Sequence, residues 1–284
     1  MYKEVIEKLE DNRTARLEGR QIAIPWELDR LSSVLPGITK KSYVGITGAS
    51  KSAKSQMCDY LYLYQPIEWL LNNPDSRTKI KIIYFSLEIS KENKMIAAMS
   101  YLLFKEHDVI VSPQDLQSLF SGKILDERIL NLCKSKKFQQ WFAVFDEVVD
   151  FYDDIRSGYS MYNLVKTYAE ANGKYTYKTI DWTNDDGSVT KKNVIDSYKA
   201  NDPDEYVIVI TDHLALLQPS AGKSLHQAMG EYSSEYCLKM RDRFGYTIVD
   251  VIQQAMAGED LQFTNKGVAI TDKLHPSVAN LGDN

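Results

Sequence analysis

The stretch GITGASKSAKS, Gly45 to Ser55, holds two overlapping copies of one pattern. A glycine, four residues, a small residue, lysine and serine occur once as Gly45 to Ser50-Lys51-Ser52, and again as Gly48 to Ala53-Lys54-Ser55. A loop that wraps a phosphate needs that spacing, because backbone N–H groups and the first turn of a helix face the anion while the lysine reaches it. Neither copy has the second glycine of the usual pattern. The preceding strand separates the two. A loop opening at Gly45 makes that strand KKSYV and buries two lysines; a loop opening at Gly48 makes it YVGIT and starts the helix at Lys54-Ser55-Gln56-Met57. The second register assigns the phosphate to Lys54 and leaves Lys51 in the loop. It places Gly48, Ala49, Ser50, Lys51, Ser52, Ala53, Lys54, Ser55 and Gln56 around the nucleotide. At a helix start Ala53 is expected to have a negative φ, which alanine tolerates. The plain alternative is a Ser/Lys-rich surface loop with no ligand.

Phosphoryl transfer also needs a divalent cation, a group that orients or deprotonates the attacking water, and stabilisation of charge at the γ-phosphate. Ser55 offers a hydroxyl to Mg2+. Asp212 ends the run VIVIT and offers the carboxylate of a metal site, or else caps the turn that follows. Glu88, in YFSLEIS, can accept a proton from water, or is a solvated glutamate beyond a strand. Gln254 ends DVIQQ and can sense the γ-phosphate through a hydrogen bond; its neighbour Gln253 has to be told apart from it. Each residue alone has an ordinary structural explanation. Polar groups at the ends of successive apolar runs, in this order, make a stronger pattern than any one of them.

Such a pattern needs a sheet to hold it. Short, nearly continuous apolar runs read as parallel strands buried on both faces: YVGIT (43–47), IKIIYFS (80–86), FAVF (142–145), YVIVI (206–210) and YTIVDVI (246–252). Helical spacing fills the gaps. Met57, Leu61 and Tyr64 share one face, with Pro66 ending or kinking that helix. Met95, Met99, Leu102 and Leu103 mark another, Ser112-Pro113 opens a third, and Leu225, Met229, Tyr232, Tyr236 and Met240 mark a fourth. Alternating strands and helices imply an α/β fold with a mostly parallel central sheet and helices on both faces. Residues 1–20 read as a charged helical arm and 21–284 as the catalytic domain. Residues 174–204 read as an inserted β-hairpin turned near Asp186-Gly187.

The formal net charge of the 284 residues is −5. Contact with nucleic acid therefore has to come from local basic loops rather than a basic surface overall. No apolar run approaches the roughly 18–20 residues that span a bilayer, and the charged N-terminus is no signal peptide, so no membrane partner is expected. Three cysteines without a CxxC pair suit a reducing cytoplasm. The four histidines show no local metal-ligand spacing.

The motif order carries a family resemblance. IAIPWELDRLSSVLPGI (22–38), the loop at 48–55, SLEIS (86–90), VIVITDHLALL (207–217), VIQQ (251–254) and LHPSVANLGDN (274–284) follow one another. This series resembles the RecA-like motor domain of DnaB-type replicative helicases, especially phage-encoded versions, over residues 20–284. DLQSLFSGKILDE (115–127) is similar to that family's stretch between the second and third strands. The resemblance implies an ATP- and Mg2+-dependent motor. Lys54 and Ser55 would bind phosphate and metal, Asp212 would hold the metal, Glu88 would be the catalytic carboxylate, and Gln254 would couple nucleotide state to DNA. It implies single-stranded DNA, further copies in a ring of about six, and primase or other replisome proteins as partners, in the host cytoplasm. Loops 218–227 and 257–273 would face the DNA, with Lys223, Lys266 and Lys273 as phosphate contacts or as ordinary solvated lysines. The 1–20 arm resembles a linker helix that docks on the adjacent subunit. The family also supplies an arginine to the neighbouring subunit's γ-phosphate from strands beyond the point matching Asn284. No residue of 1–284 is assigned that role, so the domain is expected to be C-terminally incomplete and inactive alone. The alternatives are a RecA/KaiC-like ATPase of recombination or regulation that does not unwind, and a nucleotide-binding assembly protein.

Overall fold

A computed structural model describes residues 2–183 and 187–253. The chain opens with α1 (Tyr2–Leu17) and a short turn, α2 (Asp29–Ser32), then enters β1 (Tyr43–Gly48). α3 (Lys54–Asp59), a π-helical turn (Tyr60–Tyr64) and α4 (Gln65–Asn72) follow. Next come β2 (Lys79–Ser86), α5 (Lys91–His107), the short α6 (Pro113–Leu116), α7 (Glu127–Cys133), α8 (Lys136–Val148) and β3 (Val149–Tyr152). α9 (Gly158–Ala171) leads into β4 (Gly173–Thr183) and β5 (Val189–Ala200), and the chain returns as β6 (Glu205–Asp212). α10 (Leu225–Glu231), a second π-helical turn (Tyr232–Cys237), α11 (Leu238–Phe244) and β7 (Thr247–Gln253) complete the described residues.

Five strands form one parallel sheet in the order β1-β7-β6-β2-β3. Its central strands are apolar throughout because successive side chains enter different cores. Ile82, Tyr84, Ile208, Ile210, Val249 and Val251 pack under α3, α4, α5 and α8. Ile83, Phe85, Val207, Val209 and Ile248 pack against α9 and α11. Ahead of the sheet, Ile24 and Ile38 form a bridge, and Gly37 passes so close that a Cβ there would lie 2.0 Å from the Ile24 carbonyl oxygen.

One local expectation is corrected and a second is narrowed. Residues 142–145 are helical, inside α8, where Phe138, Trp141, Phe145 and Val148 supply the buried face at helical spacing. The third strand is instead Val149–Tyr152, paired with β2. Pro66 does not end its helix. The π-helical turn just before it shifts the hydrogen-bond register, so helical structure runs on from Lys54 to Asn72 with Pro66 in the first turn of α4. Between α9 and β6, β4 and β5 form an antiparallel hairpin with an irregularity at Thr176/Tyr177. Its base rests on Phe244 through Tyr175 and Tyr198. Gly187 has φ +79°, while Asp186 lies outside the described residues.

A buried acid in β7 makes stability pH-dependent. Asp250 is fully buried, and burial pushes its carboxyl up to about 6 despite hydrogen bonds from the Tyr43 hydroxyl at 2.6 Å and the Cys237 thiol. A raised folded-state value means the folded chain holds the proton more tightly than the unfolded one. This stability is complete below about pH 4 and is lost as pH rises through about 6, amounting to ~3 kcal/mol. Asp250→Asn is therefore expected to flatten the pH dependence of urea unfolding between pH 4.5 and 7.5 and to be the more stable protein at pH 7.5. A wild-type profile already flat across that range would contradict this.

Candidate functional site

β1 ends at Gly48 and α3 begins at Lys54, so the loop between them is residues 49–53. Gly45 lies inside the strand, paired with Asp250, and a Cβ there would be 3.6 Å from its nearest neighbour. At Gly48 a Cβ would lie 2.6 Å from Ser52 Oγ, so the loop closes tightly over that position. β1 is an outer strand of the described sheet and only partly buried. Burial therefore does not itself distinguish the two lysines; the strand's extent puts Lys54 at the start of α3 and Lys51 within the loop. The Lys54 ammonium is half-buried and donates to the Ala49 carbonyl across the loop, whereas Lys51 is exposed with φ +61°.

Ala53 departs from the expected negative φ. It adopts φ +63° and ψ +26°, the left-handed conformation, immediately before α3. That conformation costs an L-residue about 1–2 kcal/mol and glycine almost nothing. Ala53→Gly is expected to raise stability by about 1 kcal/mol in urea unfolding. A lowered midpoint would mean that the methyl group makes contacts outweighing the backbone strain.

Strand register brings the remaining residues to the same edge. Ser86 pairs with Asp212 and Gly48 with Gln253, so β1, β2, β6 and β7 end side by side. The Leu87 N–H donates to the Asp212 carbonyl at 2.7 Å and ties the segment after β2 to the end of β6. A cleft of about 290 Å3 is lined by the loop from Ser50 to Gln56 together with Glu88, His213 and Gln253. Ser55 Oγ donates to Asp212 Oδ1 at 2.8 Å. Glu88 is exposed, with its carboxylate 3.4 Å from His213 Nε2. Gln254 lies outside the described residues, as do Lys266 and Lys273. Lys223 is described, and its ammonium contacts Glu231 at 2.7 Å.

Sequence reading missed the residues behind Asp212. Lys94 of α5 donates to Asp212 Oδ2 at 2.9 Å and to both oxygens of Asp59 in α3, at 3.1 and 2.8 Å. The Tyr84 hydroxyl accepts from Lys94 at 2.8 Å, donates to Asp59 at 2.7 Å and lies 3.2 Å from Asp212 Oδ2. All four side chains are buried. Burial pushes Asp212 upward, but the Lys94 ammonium and the Ser55 and Tyr84 hydroxyls outweigh it and hold the carboxyl below the usual range. Burial pushes Lys94 down, and Asp59 with Asp212 more than reverse this, so the ammonium stays charged. At Asp59 burial prevails and the value is raised. The signal available was a charged residue on each inward helical face: Asp59 stands one turn from Leu63, and Lys94 one turn from Ala98.

The site can therefore present backbone N–H groups, an ammonium, a hydroxyl, a buried carboxylate and an exposed carboxylate around one cleft. The Ser55 hydroxyl and Asp212 carboxylate are hard oxygen donors, a set that suits Mg2+, which takes few protein ligands and keeps several waters. Among solved structures, one ATPase domain matches with a TM-score of 0.56 at 15% identity, covering 98% of this chain and 76% of that one. The chain has the fold of that ATPase domain. A DnaB-like replicative helicase, described with its interactions with primase, matches with a TM-score of 0.58 at 14% identity. That match covers 99% of this chain, which spans 52% of the helicase's length. At these identities the likeness is one of fold. No protein-family model and no curated protein matches the sequence. No helix among the described residues is long and apolar enough to cross a membrane.

Proposed function

We propose that this RecA-like domain is the ATP-hydrolysing motor of a replicative DNA helicase, acting at the interface between neighbouring copies and moving along single-stranded DNA. One observation carries the reading: Lys54, Ser55, Glu88 and Asp212 meet at a single edge of the sheet, with Ser55 bonded directly to Asp212. The fold likeness to helicase ATPase domains supports the same assignment.

In this mechanism the loop N–H groups and the start of α3 cradle the phosphates, and Lys54 turns from the Ala49 carbonyl to the β- and γ-phosphate oxygens. Ser55 and Asp212 would hold Mg2+, which would neutralise charge on the phosphates. Glu88 orients the attacking water and takes its proton. Gln253 or Gln254 reads the γ-phosphate from the end of β7. Lys223, Lys266 and Lys273 contact the DNA backbone, each adding to the salt dependence of binding.

The complete natural protein, assembled with its neighbouring copies, is expected to hydrolyse ATP faster with single-stranded DNA and to unwind a forked duplex. Stimulated hydrolysis without unwinding would favour the recombination or regulatory ATPase. Nucleotide binding without turnover would favour the assembly protein. Failure to bind nucleotide in the presence of Mg2+ would remove all three.

A further inference from the structure

Asp212 has two oxygens with different company. Oδ1 accepts from Ser55, on the side of the cleft, while Oδ2 accepts from the buried Lys94 ammonium. A full positive charge therefore sits 2.9 Å from the carboxylate that would attract a divalent cation. Charges this deeply buried are weakly screened by solvent, so the ammonium opposes the cation unless something offsets it. Asp59 is placed to do so, with Lys94 clasped between its two oxygens.

We propose that Asp59 and Lys94 are a positioning pair for the metal-side carboxylate. Lys94 fixes Asp212 with Oδ1 toward Ser55, and Asp59 offsets the ammonium so that the cluster keeps one net negative charge for the cation. The pair spans the two helices on which the site depends, α3 from the phosphate loop and α5 from the Glu88 segment, and joins both to the end of β6. Apolar side chains at 59 and 94 could link the same helices by packing; they could not tune the charge at Asp212. This inference rests on Ser55 and Asp212 being the divalent-cation site.

The test is a charge cycle with near-isosteric variants of the full chain, using Mn2+ at pH 8 and reading free Mn2+ by electron paramagnetic resonance in the presence of ADP. Asp59→Asn removes one negative charge and is expected to weaken Mn2+ binding about tenfold. Lys94→Gln removes the positive charge and is expected to tighten it several-fold. The double variant restores one net negative charge and is expected to bind within about threefold of wild type. Fluorescent-ADP binding in excess chelator is expected to stay unchanged in all three, because the phosphate loop is intact. A purely structural role predicts that both single variants weaken binding, with no recovery in the double. That outcome, or Mn2+ affinities equal to wild type, overturns the proposal. If Asp59→Asn does not fold, the sign of the change in Lys94→Gln still decides. Wild-type protein that binds no Mn2+ with ADP would sink the motor reading itself, and this inference with it; normal wild-type binding with an unresponsive cycle would sink the pair alone.

Discussion

Replacing Lys54 with alanine is expected to weaken nucleotide binding on the order of 100-fold while leaving the fold intact, and the same change at Lys51 is expected to matter little. Lys54 is the first residue of α3, directly beyond the tightly closed loop that Gly48 begins. Its partner in the structure is the Ala49 carbonyl, a neutral acceptor that water can replace, so the fold loses one ordinary hydrogen bond. A triphosphate at the same place loses charge-assisted bonds, on the order of 100-fold in affinity. Lys51 is exposed, two residues short of the last loop position, and its chain neighbours Ser50 and Ser52 are exposed as well. Removing its charge is expected to change affinity by less than about threefold, in line with other solvent-screened surface charges. Fluorescent-nucleotide titration of the two variants decides between the overlapping patterns at Gly45 and Gly48. Loss at Lys51→Ala with near-normal binding by Lys54→Ala would reverse the assignment.

The inner strands of the sheet were legible because they are buried on both sides, which writes them as uninterrupted apolar runs. That code worked for β2, β6 and β7. It misled at 142–145, where a helix packed through Phe138, Trp141, Phe145 and Val148 presents the same local run, while the true strand is four residues containing Asp150. A window of four cannot separate helix from strand; the spacing over the whole of 136–148 can. Ala53 was misread for a different reason. A residue type reports what backbone angles it prefers, and the closing of this loop imposes one that alanine does not prefer. The buried ion cluster lay hidden because Asp59 and Lys94 are far apart in sequence and neither belongs to a recognised motif. Each interrupts an apolar helical face, and it takes the packing of α3 beside α5 to turn two anomalies into one feature. Where a phosphate is gripped can thus be read from spacing along the chain, whereas what tunes the carboxylate beside it depends on which helices become neighbours.

Glu88→Gln is expected to bind ATP as well as wild type and to hydrolyse it about 100- to 10,000-fold more slowly, the range over which a positioned general base acts. The segment that carries Glu88 is rigid at its root. Ser86 is the last residue of β2, Leu87 is buried and bonded to the Asp212 carbonyl, and Ser90 caps α5 by accepting from the Asn93 N–H. The side chain at 88 is exposed, beside His213 and in the same cleft as Lys54 and Ser55. Glutamine keeps the length and one carbonyl oxygen, so positioning survives; what it loses is the ability to accept a proton from water. Binding and turnover should therefore separate, with unchanged affinity for fluorescent ATP and loss confined to kcat. Lys54→Ala, by contrast, loses binding first, so the two variants distinguish a phosphate ligand from a base within one cleft. Turnover by Glu88→Gln close to wild type would make Glu88 a solvated residue at a strand end, and the proton of the attacking water would then have to leave by another group lining the cleft, such as His213.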